Sequence, residues 1–179
     1  MIYTLQYDSP IGRLLLAERD ETLIGAWIEG QKHFLASFQE ETQACKDSPL
    51  LLQTKNWLAR YFAGETPAIR ELPLAPIGSE FRKEVWKILC DIPYGETTTY
   101  GEISQKIAAR RGLDRMSAQA VGGAVGHNPI SIIIPCHRVV GSNGSLTGYA
   151  GGLQKKIQLL THEGVELGRF FVPKRGTAL

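Results

Sequence analysis

The stretch from Glu65 to Gly78, with prolines at 67, 73 and 76, constrains the fold more than any other part of the chain. Proline carries no backbone N–H and pushes the residue before it away from helix, so a segment this rich in it reads as an extended connection. The periodicity changes across it. Before it, Ile2–Tyr7, Arg13–Glu18 and Thr22–Ile28 read as strands, joined by the turn Asp8–Gly12 and the polar Arg19-Asp20-Glu21. Such short connections predict an antiparallel meander. Lys32–Lys46 has weak helical spacing. Ser48-Pro49 then places an N-cap and a first-turn proline before a helix over Leu50–Ala63, which Gly64 ends. Leu51, Leu58, Tyr61 and Phe62 share its inner face, and Trp27 and Trp57 read as core.

After the connection, helical spacing takes over. Ser79 opens a helix with Phe81, Val85, Ile88 and Leu89 on its apolar face and Trp86 beside it, and Asp91–Gly95 closes it. Thr99-Tyr100-Gly101-Glu102 has the form of a capping box. The helix it opens carries Ile103 and Ile107 on the face of Tyr100 and ends near Ala109. Ser117 caps a further helix, Ala118–Gly126, after a short turn containing Gly112. The last helix runs from Leu153 to His162 with Leu153, Ile157 and Leu160 inward, and the tail from Arg169 has no core pattern and reads as mobile. The fold class is therefore α/β in the α+β sense. A small N-terminal antiparallel sheet with helices over residues 1–75 is followed by a mostly helical domain over 76–179.

Net charge is +2 over 179 residues, but its distribution is uneven. Residues 1–78 hold 7 Lys and Arg against 10 Asp and Glu, net −3; residues 79–179 hold 13 against 8, net +5. The basic helical half suits a partner that carries phosphates. No apolar run is long enough to span a membrane, and Met1–Thr4 lacks the layout of a secretion signal. Cys45, Cys90 and Cys136 are an odd and sparse set, as expected of free thiols in a reducing cytoplasm. No Cys/His cluster has metal-ligand spacing, so no metal is expected.

The chemistry concentrates in Pro135-Cys136-His137-Arg138-Val139, directly after the apolar Ile130–Ile134, which reads as a buried strand or extended segment. A cysteine among isoleucines and valines is ordinarily a small core hydrophobe. Here a histidine and an arginine follow at once, and nearby positive charge favours a thiolate. Asn128-Pro129 precedes the motif, and the glycine-rich Thr147–Gly152 follows it. The helix Ala118–Gly126 is small on nearly every side, and each interior glycine costs about 1 kcal/mol relative to alanine. Either close approach to an external surface or tight packing within the domain would account for that.

The stretch Pro135–Val139, with Asn128-Pro129 before it and Gly148-Tyr149-Ala150-Gly151-Gly152 after it, resembles the methylated-DNA–protein-cysteine methyltransferases, which repair O6-alkylguanine by direct reversal. The likeness is dense from about Ser79 to Gly164 and looser before. It implies a ribonuclease H-like N-terminal domain and a C-terminal domain of winged helix-turn-helix type. It makes Cys136 the alkyl acceptor. His137 would take its proton through a water, Glu163 of the His-Glu-Gly stretch would stand behind the histidine, and Asn128 would brace the active-site loop. Ala118–Gly126 becomes a recognition helix in the minor groove, with Gln119, Ala120 and Gly122 at the DNA. Tyr100 would donate to the flipped base, while Arg138, Val139, Ser142, Tyr149, Ala150 and Gly151 would contact base or DNA. The partner is double-stranded DNA containing alkylated guanine, with O4-alkylthymine a further substrate. The protein would act as a monomer without a cofactor, once per chain. One departure stands out: the family usually has an arginine that fills the gap left by the flipped base, and Gln119 occupies that position. Arg115, about one helical turn earlier, is the other candidate.

Two other classes fit parts of the pattern. A lesion-binding sensor would share the DNA surface but lack the acceptor cysteine. A thiol hydrolase or redox enzyme would use Cys136 and His137 without DNA.

Overall fold

Three strands near the N-terminus alternate so that one face can be buried. In the computed structural model, which describes residues 1–35 and 40–174, β1 (Ile2–Ser9), β2 (Gly12–Arg19) and β3 (Thr22–Ile28) form the expected antiparallel meander. Asp20 and Glu21 turn β2 into β3 with φ of 50° and 58°, a left-handed pair that matches the twist of a two-residue hairpin. Trp27 is buried across its own strand; a Cβ on Gly25 would overlap its indole. α1 (Pro49–Phe62) is capped as the sequence requires, the Ser48 hydroxyl accepting from Leu51 N–H at 3.1 Å. It buries Leu51, Trp57, Leu58 and Tyr61.

Two expectations for this half are corrected. β4 (Thr42–Ala44) runs parallel to β1, giving the order β3-β2-β1-β4, so the sheet is not wholly antiparallel. Lys32–Lys46 is therefore not one helix. His33 and Leu35 have φ of 59° and 54°, which breaks a right-handed helix, and residues 36–39 lie outside the described residues. The proline-rich connection takes one 3-10 turn at Ile69–Glu71 and is extended beyond it, where Leu74 bridges Leu23 of β3, with Leu23 N–H on Pro73 O at 2.8 Å.

The chain divides into two compact units, 1–78 with 129–133 and 79–128 with 134–179. The excursion 129–133 belongs to the first unit because Ile130 bridges Ala26 of β3: Ala26 N–H donates to Pro129 O at 2.9 Å and Ser131 N–H to Ala26 O at 2.8 Å. It covers part of an edge that would otherwise present unpaired backbone groups.

In the second unit, α2 (Glu80–Cys90) is capped by Ser79. Trp86 lies deeper than the pattern implied: it is 1% exposed and its Nε1–H donates to Ala124 O at 2.8 Å. Phe81, assigned to the apolar face, is half-buried, with the Arg111 guanidinium 5.4 Å over its ring. β5 (Thr98–Thr99) leads into α3 (Tyr100–Arg111), which starts with the predicted Thr99/Glu102 capping box and ends at Gly112 in the left-handed region. α4 (Ala118–Gly126) is capped by Ser117. β6 (Val139–Val140) pairs in parallel with β5, and α5 (Leu153–His162) closes the unit. Val140, Leu146, Leu160 and Val165 form its core cluster, with Leu153 and Ile157 packed against it. The tail is more ordered than its composition implied. Phe171 bridges Ser145, donating to Gly144 O at 3.0 Å and accepting from Leu146 N–H at 2.9 Å; residues 175–179 lie outside the described residues. Among the described residues no helix is long and apolar enough to cross a membrane.

Candidate active site

Cys136 is delivered by two tight turns rather than by a strand. Ile133 N–H bonds Ser131 O at 2.9 Å around Ile132, whose φ is 72°. That is a γ-turn of the rare, strained hand, on a β-branched residue that seldom adopts positive φ. Cys136 N–H then bonds Ile134 O at 2.8 Å around Pro135 (φ −82°, ψ 63°), a γ-turn of the common hand. The run Ile130–Ile134 is buried as expected, but it bends instead of extending. Strain of this kind costs about 1–3 kcal/mol and persists only where the surroundings hold it. Here the backbone bridges to Ala26 do so, together with the Ser131 hydroxyl on Gln31 Oε1 at 3.0 Å.

Asn128 closes the second turn. Its amide donates to Ile134 O at 2.8 Å and to Cys136 Sγ at 3.2 Å, so the second residue after α4 is tied directly to the thiol. Cys136 opens a 3-10 turn, Cys136–Arg138, and is 4% exposed. Burial pushes its thiol pKa up, while the Asn128 hydrogen bond and the positive charge of Lys156 pull it back. His137 is fully buried, with Nε2 2.6 Å from Glu163 Oε1. Because a carboxylate can only accept, Nε2 carries the proton and Nδ1 is the free base; Nδ1 is buried without a hydrogen-bond partner. Burial lowers the His137 pKa, and Glu163 opposes that. Burial alone would raise the Glu163 carboxyl, but its bonds and charge contacts with His137 and Arg138 hold it well below the usual range. A glutamate at a helix C-terminus is ordinarily exposed; this one is enclosed by the Arg138 guanidinium and the His137 ring.

Arg138 and Val139 are both buried. Arg138 is 6% exposed and turned inward, with Nε 2.8 Å from Glu163 Oε2, Nη2 3.0 Å from Oε1 and Nη1 2.6 Å from Ile92 O. The guanidinium thus binds Glu163 and Ile92 inside the fold, with its side chain 8% exposed. The Val139 N–H bonds Cys136 O, and its carbonyl accepts from Lys156 Nζ.

The other expected site residues ring this centre. Tyr100, first in α3, donates its hydroxyl to Thr147 O at 3.1 Å and is within 3.3 Å of Gly148 O. Burial and the nearness of Cys136 push its pKa up. Gly148 has a φ of 76°, and a Cβ there would run into that hydroxyl, so glycine is required on both counts. Tyr149 is buried edge-on to His137, 6.4 Å between ring centroids, with its hydroxyl unpartnered. Ala150 and Gly151 are half-buried beside it. Ser142 is exposed at the start of α3, its Oγ 3.0 Å from where a Cβ on Gly101 would lie. Gln119 and Ala120 are exposed on the first turn of α4, and Arg115 just before it is exposed too. Gly122 faces the Tyr100 ring, but a Cβ on Gly123 or Gly126 would meet nothing within 4 Å. Packing within the domain therefore does not account for those two glycines.

Sequence reasoning missed Lys156. It is fully buried in α5, its ammonium held by the carbonyls of Val139 and Thr147, the latter at 2.7 Å. Burial lowers its pKa to about 8, opposed by the charge of Cys136. A signal was present: 153, 156, 157 and 160 are the i, i+3, i+4, i+7 positions of one helix face, so the lysine stood in the apolar stripe.

Comparison with known proteins decides among the readings this geometry allows. The family model for the 6-O-methylguanine DNA methyltransferase ribonuclease-like domain matches residues 1–76, and that for the DNA-binding domain of the same proteins matches residues 80–165. The chain belongs to the 6-O-methylguanine DNA methyltransferase family. The methylated-DNA–protein-cysteine methyltransferase of Methanosarcina acetivorans is 42% identical over 164 residues, covering 91% of this chain and 99% of that protein. The Haemophilus influenzae protein of the same name is 38% identical, covering 90% and 86%. Among solved structures, Mycobacterium tuberculosis OGT in complex with DNA superposes with a TM-score of 0.76 at 40% identity, covering 94% of each chain. The two-domain fold and the alkyltransferase resemblance of the sequence are thus borne out, and the sensor and hydrolase readings are not favoured.

Proposed function

We propose that this methyltransferase repairs O6-alkylguanine in double-stranded DNA by moving the alkyl group irreversibly to Cys136, with O4-alkylthymine as a further substrate. The observation that carries the reading is the buried series Asn128–Cys136 and His137–Glu163, with a bare imidazole nitrogen beside the thiol's own turn. The thiol is pushed up by burial, so it needs a base at neutral pH. His137 Nδ1 takes its proton by way of one water, and Glu163 steadies the imidazolium. The sulfur then attacks the alkyl carbon. An S–C bond forms, the C–O6 bond breaks, and the guanine leaves with its electron pair and regains one proton, with Tyr100 donating at the ring. A thioether is a poor leaving group and no second cysteine lies near Cys136 in the sequence, so each chain acts once.

Within this reading, residues 76–179 supply the DNA surface and the acceptor. Gln119, Ala120 and Gly122 of α4 lie in the minor groove, and Ser142, Ala150 and Gly151 line the approach of the flipped base. The three free cysteines suit a cytoplasmic protein. The test is the single-turnover rate of His137→Phe and Glu163→Gln on a methylated oligonucleotide across pH. Both should lose more at neutral pH than at alkaline pH, where the thiol ionises unaided; equal losses throughout would refute the relay.

A further inference from the structure

Glu163 is shared by Arg138 and His137, and the sharing is unequal. Arg138 grips both oxygens, Oε2 through Nε and Oε1 through Nη2, at 2.8 and 3.0 Å. His137 reaches Oε1 alone. The third guanidinium nitrogen is anchored on Ile92 O at 2.6 Å, and the ring of Tyr94 lies 5.7 Å from the guanidinium carbon. The Arg138 and Glu163 side chains are 8% and 0% exposed, so water does not dilute this interaction. Only an arginine fork can bind both carboxylate oxygens and still reach a carbonyl; a lysine offers a point charge.

We propose that Arg138 is a positioning residue of the proton relay, fixing Glu163 as a permanent carboxylate so that His137 stays an uncharged base at neutral pH. This rests on the alkyl-transfer reading of the site. Consider the pair without Arg138. A buried imidazolium facing a buried carboxylate is a neutral ion pair that holds its proton, and a histidine already protonated cannot accept one from Cys136. With Arg138 in place the carboxylate is already neutralised. A proton on His137 then leaves an uncompensated charge in a dry site, and that is costly. The groups facing the pair are consistent with this. From its own turn come Cys136 and Arg138. The 92–95 segment contributes Tyr94 and the Gly95 N–H, 3.3 Å from Glu163 Oε2. Lys156 of α5 adds further positive charge near His137, and Tyr149 contributes a neutral phenol. No second carboxylate among the described residues is paired with Arg138 or His137. The arginine beside the catalytic histidine thus serves the base and not the DNA.

The experiment compares wild type, Arg138→Lys and Arg138→Met in single-turnover transfer from a methylated duplex across pH, together with NMR titration of the His137 imidazole. The acid limb of the rate profile and the imidazole titration should both move up by about one pH unit in Arg138→Met, with Arg138→Lys between. The rate deficit should be smaller at alkaline than at neutral pH, and DNA affinity and its salt dependence should not change. An unmoved acid limb with a uniform loss of rate would make Arg138 merely structural and overturn the proposal. Loss of affinity with a shallower salt dependence would return it to the DNA and overturn it too. If Arg138→Met does not fold, the His137 titration in Arg138→Lys decides. If wild type transfers no alkyl group, the alkyl-transfer reading fails, while the imidazole titration still tests the clamp.

Discussion

Lys156→Met should change the sign of its effect on stability between neutral and alkaline pH. The Lys156 pKa is lowered from 10.5 to about 8 by burial. The folded protein therefore binds this proton less tightly than the unfolded chain, and protonation favours unfolding. That cost is fully present below pH 8 and disappears as pH rises through 8 towards 10.5. At about 1.4 kcal/mol per unit it amounts to about 3 kcal/mol. Methionine removes the cost but also removes a donor. Thr147 O keeps its bond from Tyr100, so the main loss is the bond to Val139 O, about 1–3 kcal/mol. At neutral pH the variant should equal wild type or exceed it by up to about 2 kcal/mol; above pH 10.5, where the cost is gone, it should be about 1–3 kcal/mol less stable. Urea unfolding of both proteins at the two pH values measures this, and other titrating groups largely cancel in the difference. A stability difference that does not move with pH would refute the buried-cation account of Lys156.

Other consequences can be checked separately. Trp86→Phe deletes the bond to Ala124 O that seats α4 and should cost about 1 kcal/mol in urea unfolding, with weakened DNA binding at equal protein concentration. The Cys90 thiol is pushed up to about 11 by burial; it should resist iodoacetamide at neutral pH and react as pH approaches that value. DNA affinity should be largely independent of sequence and should fall steeply with salt as phosphate contacts release counterions, measured by fluorescence anisotropy. Gln119→Arg should speed repair of a paired duplex and do much less for single-stranded substrate, because an arginine adds stacking and charge in the flipped-base gap. If Arg115→Ala alone loses duplex repair, Arg115 is the residue that fills the gap.

What could be read from the sequence was local. Ser48, Ser79, Thr99 with Glu102, and Ser117 each cap the helix they precede, because a cap is satisfied by a backbone N–H two or three residues away. β4 was missed because three exposed residues carry no pattern of their own and exist as a strand only beside β1. Ile130–Ile134 looked extended because apolar runs usually are; the turn at Ile132 depends on backbone bonds to Ala26, about one hundred positions away in the chain. Cys136 and His137 were found by the positive neighbours of the thiol, and Glu163 through the family resemblance. The inward turn of Arg138 was not, since a charged residue beside a nucleophile gives no sign of which way it faces. Its partner Glu163 and its anchor Ile92 O come from distant segments.

The central claim, that Cys136 takes the alkyl group once, is tested most directly by mass spectrometry of the protein after incubation with excess duplex carrying O6-methylguanine. The account predicts a gain of one methyl per chain, mapped to the peptide containing Cys136 and absent from those containing Cys45 and Cys90, with no further repair thereafter. A methyl on either of the other cysteines, an unmodified protein beside repaired DNA, or many lesions repaired per chain would contradict it.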